Sequence, residues 1–315
     1  MNISIALNHN YSKYAYVLLT SLFYHHRKVP HCLTVYLLSS DLTEEDRGLF
    51  GQLADSYQQT IFFLQVDLSD EIKKLPTTES WSREMYYRLL LGELLPREVS
   101  RILYLDVDII VNGPLFEFYQ TDLGGKLLGV ADDPMIQGHF SSAQHQIFSE
   151  FPETVRYFNS GVILFDLENI RKQYKFADYM GAAAKFSFQL TNPDQDLLNY
   201  LHADEAYFFD NRRYNVFSQI AEMDGMDYVQ VKEKCTVIHY AGRKPWNYNG
   251  VHYSTEKLWW DYAKMTPFYF ELMEPVFLQG LNDESYQSMM ALLKENNGLK
   301  QNLDEAVALC QKLYG

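Results

Sequence analysis

Short apolar runs of β-branched character alternate with segments of helical period through the first 130 residues, and this alternation constrains the fold most. Residues 2–7 alternate as a strand does, and residues 11–25 place apolar side chains at helical spacing. Residues 32–38 and 61–66 again read as strands. Between them Thr43 is a helix cap, followed by Glu44, Glu45 and Asp46, the acids of a solvated helix start. Residues 81–95 read as a helix that stops before Pro96. The strand 101–105 then leads through Asp106-Val107-Asp108 into the apolar 109–111 and the turn Asn112-Gly113-Pro114. Strands joined through helices form a largely parallel sheet covered on both faces. The expected fold class is therefore α/β, a Rossmann-like layout with its site at the C-terminal edge of the strands.

Beyond residue 130 the pattern loosens. Residues 138–151 are rich in His, Gln and Ser and read as a flexible loop or lid. A buried strand is expected over 158–167, a helix from 194 to 201 and a short strand over 236–240. From residue 254 the chain reads as amphipathic helices, so the expected division is a catalytic domain over 1–250 and a helical appendage over 251–315.

Charge excludes some functions. The chain has 41 acids against 27 Lys and Arg, a net −14 that opposes a phosphate backbone as the main partner, so no nucleic acid is expected. No run reaches the roughly 18 apolar residues of a membrane span, and the first residues lack the pattern of a secretion signal. Cys32, Cys235 and Cys310 have neither metal nor redox spacing and read as reduced thiols in a cytoplasm. Residues 256–315 hold nine acids and five Lys, so any membrane association is peripheral and apolar rather than electrostatic.

Two segments carry chemistry. A strand ending in Asp106-Val107-Asp108 places both carboxylates on one face, with Val107 directed to the core. Such a pair is either a solvated acidic turn or a site for Mg²⁺ or Mn²⁺ with room for substrate phosphates. The second segment, Thr236 to Tyr240, ends near His239, an imidazole ligand or a satisfied core histidine. Gly242, Arg243 and Lys244 follow it, a cationic loop suited to phosphate in an acidic protein. Two carboxylates with one imidazole fit Mn²⁺ better than Mg²⁺.

Several motifs occur in order: Tyr86-Tyr87-Arg88-Leu89, Leu103 to Asp108, Phe158-Asn159-Ser160-Gly161-Val162, Asp194-Gln195-Asp196, and His239-Tyr240-Ala241-Gly242 with Lys244-Pro245-Trp246. Together they resemble glycosyltransferase family 8, which includes bacterial lipopolysaccharide galactosyl- and glucosyltransferases and glycogenin. The resemblance spans roughly residues 1–250. It implies the GT-A fold, a UDP-galactose or UDP-glucose donor, Mn²⁺, retention of anomeric configuration, and a glycan, glycolipid or glycoprotein acceptor. It also implies Asp106, Asp108 and His239 as metal ligands, and Ala6, Asn8, Asn10 and Tyr11 around uridine, with Tyr11 stacked on the base. Arg88 would reach the donor, Val107 would lie along the ribose, and Gly242 and Lys244 would contact the diphosphate. Asp133, Asn159 and Ser160 would surround the sugars, with Asp194 and Gln195 beneath the transferred one.

Two positions depart from the family pattern. Asn8 stands where many relatives carry Asp, which weakens base recognition without abolishing it. The 242–245 loop is one residue shorter than in some relatives, and Arg243 is a substitute for Lys244 if the lysine falls short. An amide such as Gln195 is a poor nucleophile, which favours front-face attack over double displacement through Asp194 or Asp133. Two other classes are a metal-dependent nucleotidyl- or phosphotransferase, opposed by the lack of a Gly-rich phosphate loop, and an inactive UDP-sugar-binding protein. Elsewhere His25, His26, His31 and His202 read as surface or helix-face residues without a function, and His139 and His145 as acceptor-side candidates. Trp81 and Trp246 read as border residues, and Trp259 and Trp260 as packing.

Overall fold

The computed structural model describes residues 1–67, 83–136, 139–152, 154–247 and 253–281, with isolated positions at 72, 75 and between 294 and 305. Trp81 and most of the run beyond 281 lie outside these described residues. Seven strands form the main sheet: β1 Asn2–Ala6, β2 Thr34–Ser39, β3 Thr60–Gln65, β4 Arg101–Leu105, β6 Leu128–Asp132, β7 Phe158–Asp166 and β8 Ala206–Phe208, in the order β3-β2-β1-β4-β7-β6-β8. β3, β2, β1 and β4 are parallel, β7 runs against both β4 and β6, and β8 is parallel to β6. A small sheet joins β5 Ile109–Val111, β10 Val237–His239 and β9 Val216–Phe217. The expected α/β class and mostly parallel sheet are thus present.

Side-chain alternation explains why both faces are covered. In β4, Ile102 and Tyr104 join one apolar cluster while Leu103 and Leu105 join the other. β7 divides in the same way, with Ile163 and Phe165 opposite Val162 and Leu164. The Ser12–His26 helix covers the second face through Leu18, Leu19 and Leu22, and Tyr86, Leu91 and Leu197 cover the first. Because β7 is reversed, its N-terminal end shares an edge with the C-terminal ends of β1, β4 and β6. The Lys257–Ala263 helix packs on the same body, with Trp259 fully buried among Val17, Ile238, Tyr240 and Trp246.

Local structure departs from the sequence expectations in four places. Of the helix expected over 81–95, the described residues do not form one α-helix: Arg83–Leu90 is a 3₁₀ segment followed by the single turn Leu91–Leu94. Within the expected lid, Ser142–Ile147 is a helix, with Ser141 and Gln144 forming its capping box. Asp46 is not solvated; it is 6% exposed and accepts from the Thr43 backbone and hydroxyl at its helix start. His26 and His202 are buried rather than at the surface, His26 between Leu22 O and the Leu115 amide, His202 between Tyr179 and Glu205. Short polar side chains in these segments bond locally or across the fold, and periodicity does not register such bonds.

Candidate active site

β1 and β4 deliver their C-terminal ends side by side, and a cleft opens there between Ala6, Asn8, Tyr11, Arg88, Val107 and Lys244. Asp106 and Asp108 lie just past β4, in the turn before β5 rather than on the strand. Val107 accordingly does not point wholly into the core; it is half-buried and lines the cleft. β10 pairs with β5 so that His239 lies opposite Ile109, which brings its ring beside Asp108. One ligand atom from each of Asp106, Asp108 and His239 falls within 4.8 Å of the others. Two hard carboxylate oxygens and an imidazole nitrogen are a donor set that suits a divalent cation such as Mn²⁺.

Gly161 makes this approach feasible. A Cβ there would stand 2.4 Å from His239 Cε1 and 2.8 Å from an Asp106 oxygen, so only glycine fits. Gly161 O also accepts from the Asp106 amide, which pins the start of the acidic turn to β7.

Charge around the pair is compensated from two directions. The Arg88 Nη2 donates to Asp106 at 2.7 Å, Nε lies 3.1 Å from Asp194, and Nη1 donates to Ser160 O. The Tyr104 hydroxyl donates to Asp106 at 2.9 Å, with the Arg88 guanidinium over its ring. Arg88 therefore reaches the cleft from beneath, as the partner of Asp106 and Asp194. Burial raises the Asp194 carboxyl above its usual range, and Arg88 opposes that rise. At Asp108 the balance reverses. Burial alone would raise this carboxyl, but Lys244 and His239 beside it hold it well below the usual carboxylate range.

Lys244 Nζ lies against Asp108 and donates to Tyr240 O at 3.1 Å, so the shortened loop reaches the acid pair. Gly242 turns this loop at φ +79°, a conformation that favours glycine. Arg243 does not substitute for Lys244, because its guanidinium pairs with buried Glu256 at 3.0 Å.

A buried amide layer adjoins the acids. Gln195 Oε1 accepts from the Ser160 amide at 2.9 Å and from Asn159 Nδ2 at 3.0 Å. Its Nε2 donates to Asp133, which also accepts from the amides of Met135 and Ile136. Asp194 accepts from the Ser160 hydroxyl at 3.1 Å. Asp133, Asn159, Ser160, Asp194 and Gln195 thus form one connected, buried group.

The nucleoside-side candidates are less uniform. Asn8 caps the turn His9–Tyr11 by accepting from the Tyr11 amide, and its Nδ2 donates to Glu84 at 3.2 Å. Tyr11 is 38% exposed and lines the cleft, edge-on to Tyr14, which stacks on Trp246. Asn10 is exposed on the turn and is not part of the cleft wall. His139 and His145 are exposed. Sequence reasoning passed over Glu84, Tyr104 and Asn215; of these only Asn215, a non-glycine residue at φ +62°, departs from ordinary backbone geometry, and that becomes visible only in three dimensions.

This sheet, with an acid pair after its central strand and an imidazole facing it, has the architecture of the GT-A glycosyltransferases. It superposes on the crystal structure of the galactosyltransferase LgtC in complex with donor and acceptor sugar analogues with a TM-score of 0.73, at 23% identity, covering 85% of this chain and 96% of that one. The chain belongs to glycosyltransferase family 8, whose family model matches residues 2–250. Among curated relatives, a lipopolysaccharide 1,2-glucosyltransferase of Escherichia coli K12 is 28% identical over 78% of this chain and 73% of its own length. A lipopolysaccharide 1,3-galactosyltransferase of Salmonella typhimurium is 26% identical over 70% of this chain and 66% of its own.

Proposed function

We propose that this glycosyltransferase moves galactose or glucose from a UDP-sugar to a hydroxyl of a glycan, glycolipid or glycoprotein acceptor, with retention at the anomeric carbon. The convergence of Asp106, Asp108 and His239 at the mouth of a cleft between β1 and β4 carries this reading. Ala6, Asn8 and Tyr11 form the wall suited to uridine, with Tyr11 offering an exposed ring to the base; Asn10 is proposed to join them from the adjoining turn. Val107 lies on the same wall, next to the ribose in this reading.

Asp106, Asp108 and His239 would hold Mn²⁺, with Mg²⁺ as the alternative, and the ion would neutralise charge on the departing diphosphate. Arg88 and Tyr104 hold the Asp106 carboxylate in place with two hydrogen bonds. Lys244 supplies a second cation at the phosphate edge, and the loop at Gly242 brings backbone close to the same group. As the bond from C1 to the phosphate oxygen breaks, the acceptor oxygen bonds C1 from the same face. Its proton passes to the departing phosphate oxygen. Gln195 supports this front-face route, because its amide oxygen already accepts from Ser160 and Asn159 and its nitrogen is tied to Asp133. Asp133, Asn159 and Ser160 would surround the sugar, with Asp194 and Gln195 beneath it. We place the enzyme in the cytoplasm with peripheral membrane contact at most; among the described residues no helix is long and apolar enough to cross a membrane.

The test is UDP release from a panel of UDP-sugars with Mn²⁺. Release from UDP-galactose or UDP-glucose is expected, and no release with any UDP-sugar overturns the reading. Asp108→Asn should abolish Mn²⁺-dependent turnover with the fold intact, and retained activity would remove the metal assignment. The anomeric proton of the product, read by NMR, tests retention.

A further inference from the structure

We propose that Asn215 is a positioning residue that joins the imidazole of the cation site to the amide layer beneath the sugar. This inference rests on the reading of Asp106, Asp108 and His239 as cation ligands. Asn215 follows a turn at φ +62°, a left-handed conformation that asparagine tolerates better than most residues, and it is 1% exposed. Its Oδ1 lies 2.7 Å from His239 Nδ1, and its Nδ2 donates to Asn159 Oδ1 at 3.0 Å.

Backbone donors settle which way each amide points. The Gly161 N–H donates to the same oxygen of Asn159 at 2.9 Å, so that atom is an acceptor. The Asn215 atom facing it is therefore the NH₂ group, and the atom facing His239 is the carbonyl oxygen. A carbonyl beside Nδ1 requires that Nδ1 carry a hydrogen, which makes Nε2, 3.2 Å from Asp108, the nitrogen that faces the cation site. On the other side, Asn159 Nδ2 is left to donate to Gln195 Oε1 and to Asp133. The Ser160 N–H donates to the same Gln195 oxygen, so the two backbone amides of β7 set the whole relay from His239 to Asp133. Every member from Asn215 to Gln195 is buried, so a wrongly oriented amide would leave a buried donor unpaired.

The relay separates two functions that different substitutions should affect differently. Asn215→Gly keeps the left-handed backbone and removes both hydrogen bonds. Asn215→Asp keeps an acceptor for His239 but sets an oxygen against Asn159 Oδ1. In the metal-free protein, two-bond ¹⁵N–¹H correlation of the histidine rings, with His239 assigned by its loss in His239→Gln, should show a hydrogen on Nδ1. An Nε2–H tautomer overturns the proposal whatever the enzyme transfers. Binding of Mn²⁺ without any sugar nucleotide, followed by the electron paramagnetic resonance of the free ion, should weaken about 10- to 100-fold in Asn215→Gly. In Asn215→Asp it should stay within about threefold of the parent, while kcat for transfer falls about tenfold with little change in donor KM. Unchanged Mn²⁺ binding in Asn215→Gly, or equal loss of binding in both variants, overturns the role of Asn215. No Mn²⁺ uptake by the parent protein overturns the cation reading itself, and the coupling with it.

Discussion

Arg88 and Asp194 form an ion pair inside the protein, Nε to Oδ2 at 3.1 Å with side chains 5% and 4% exposed, and the same guanidinium holds Asp106. One cation thus compensates two carboxylates that lie on different elements. Arg88→Met keeps much of the volume but leaves both acids without it. A loss of about 3–5 kcal/mol is expected from breaking such a buried pair. The denaturant midpoint measures it, and a loss below about 1 kcal/mol, the value of an exposed pair, would contradict the expectation. Arg88→Lys should also lower turnover more than tenfold or so, because a single ammonium does not replace the fork that spans Asp106 and Asp194.

Gly161→Ala should damage the cation site more than the fold. The added methyl would meet His239 Cε1 at 2.4 Å and the Asp106 carboxylate at 2.8 Å. Its position inside β7 leaves little room for the backbone to shift. An overpacking cost of about 1–3 kcal/mol is expected, with Mn²⁺ affinity lower by about tenfold or more. Isothermal titration with Mn²⁺ decides it, and full affinity in the variant would show that the ring has another place to go.

Asn8 and Glu84 should behave as a pair. Asn8 Nδ2 donates to Glu84 at 3.2 Å, so Asn8→Asp replaces that hydrogen bond with two facing carboxylates. Donor KM should rise about three- to tenfold, the worth of one hydrogen bond. The double change with Glu84→Gln should recover most of the loss, because the glutamine amide donates to the new carboxylate. Equal KM values in the single and double variants would contradict this.

Acid should destabilise the protein through His25. Burial, with His26 and Arg27 nearby, holds His25 down at about 4, and its Nε2 bonds the Tyr262 hydroxyl at 2.6 Å. The unfolded chain takes up this proton near 6.5 and the folded chain does not, so stability present above 6.5 is lost as pH falls towards 4. His26, also lowered by burial, acts in the same direction. His9 is raised, first by its hydrogen bond to Asp46, and acts oppositely: its contribution is full below its unfolded value and lost as pH rises. Comparing the melting temperature of His25→Gln with the parent between pH 7.5 and 4.5 isolates His25. The variant should show the shallower fall, and parallel curves would refute the assignment.

The central sheet was legible in the sequence because it rests on short repeats. Continuous apolar runs within 101–105 and 158–166 mark strands buried on both faces, and Thr43 with Asp46 marks a helix start. The acid pair was legible as well, since it directly follows an apolar run. The Ser142–Ile147 helix was not, because its cap and its buried Gln144 look like loop polarity until Gln144 is seen donating to Asp196.

The sequence by itself determined the two-faced α/β sheet, the acids at its edge and the order of the site motifs, all carried by neighbours two to four residues apart. Only the tertiary structure decided which partners complete the site. Lys244 meets Asp108 across 136 positions, Asn215 meets Asn159 across 56, and Gln195 meets Asn159 across 36. Arg243, adjacent to Lys244, turns instead to Glu256. A buried charge or amide must find a partner wherever the folded chain supplies one, and that demand leaves no periodic trace along the sequence.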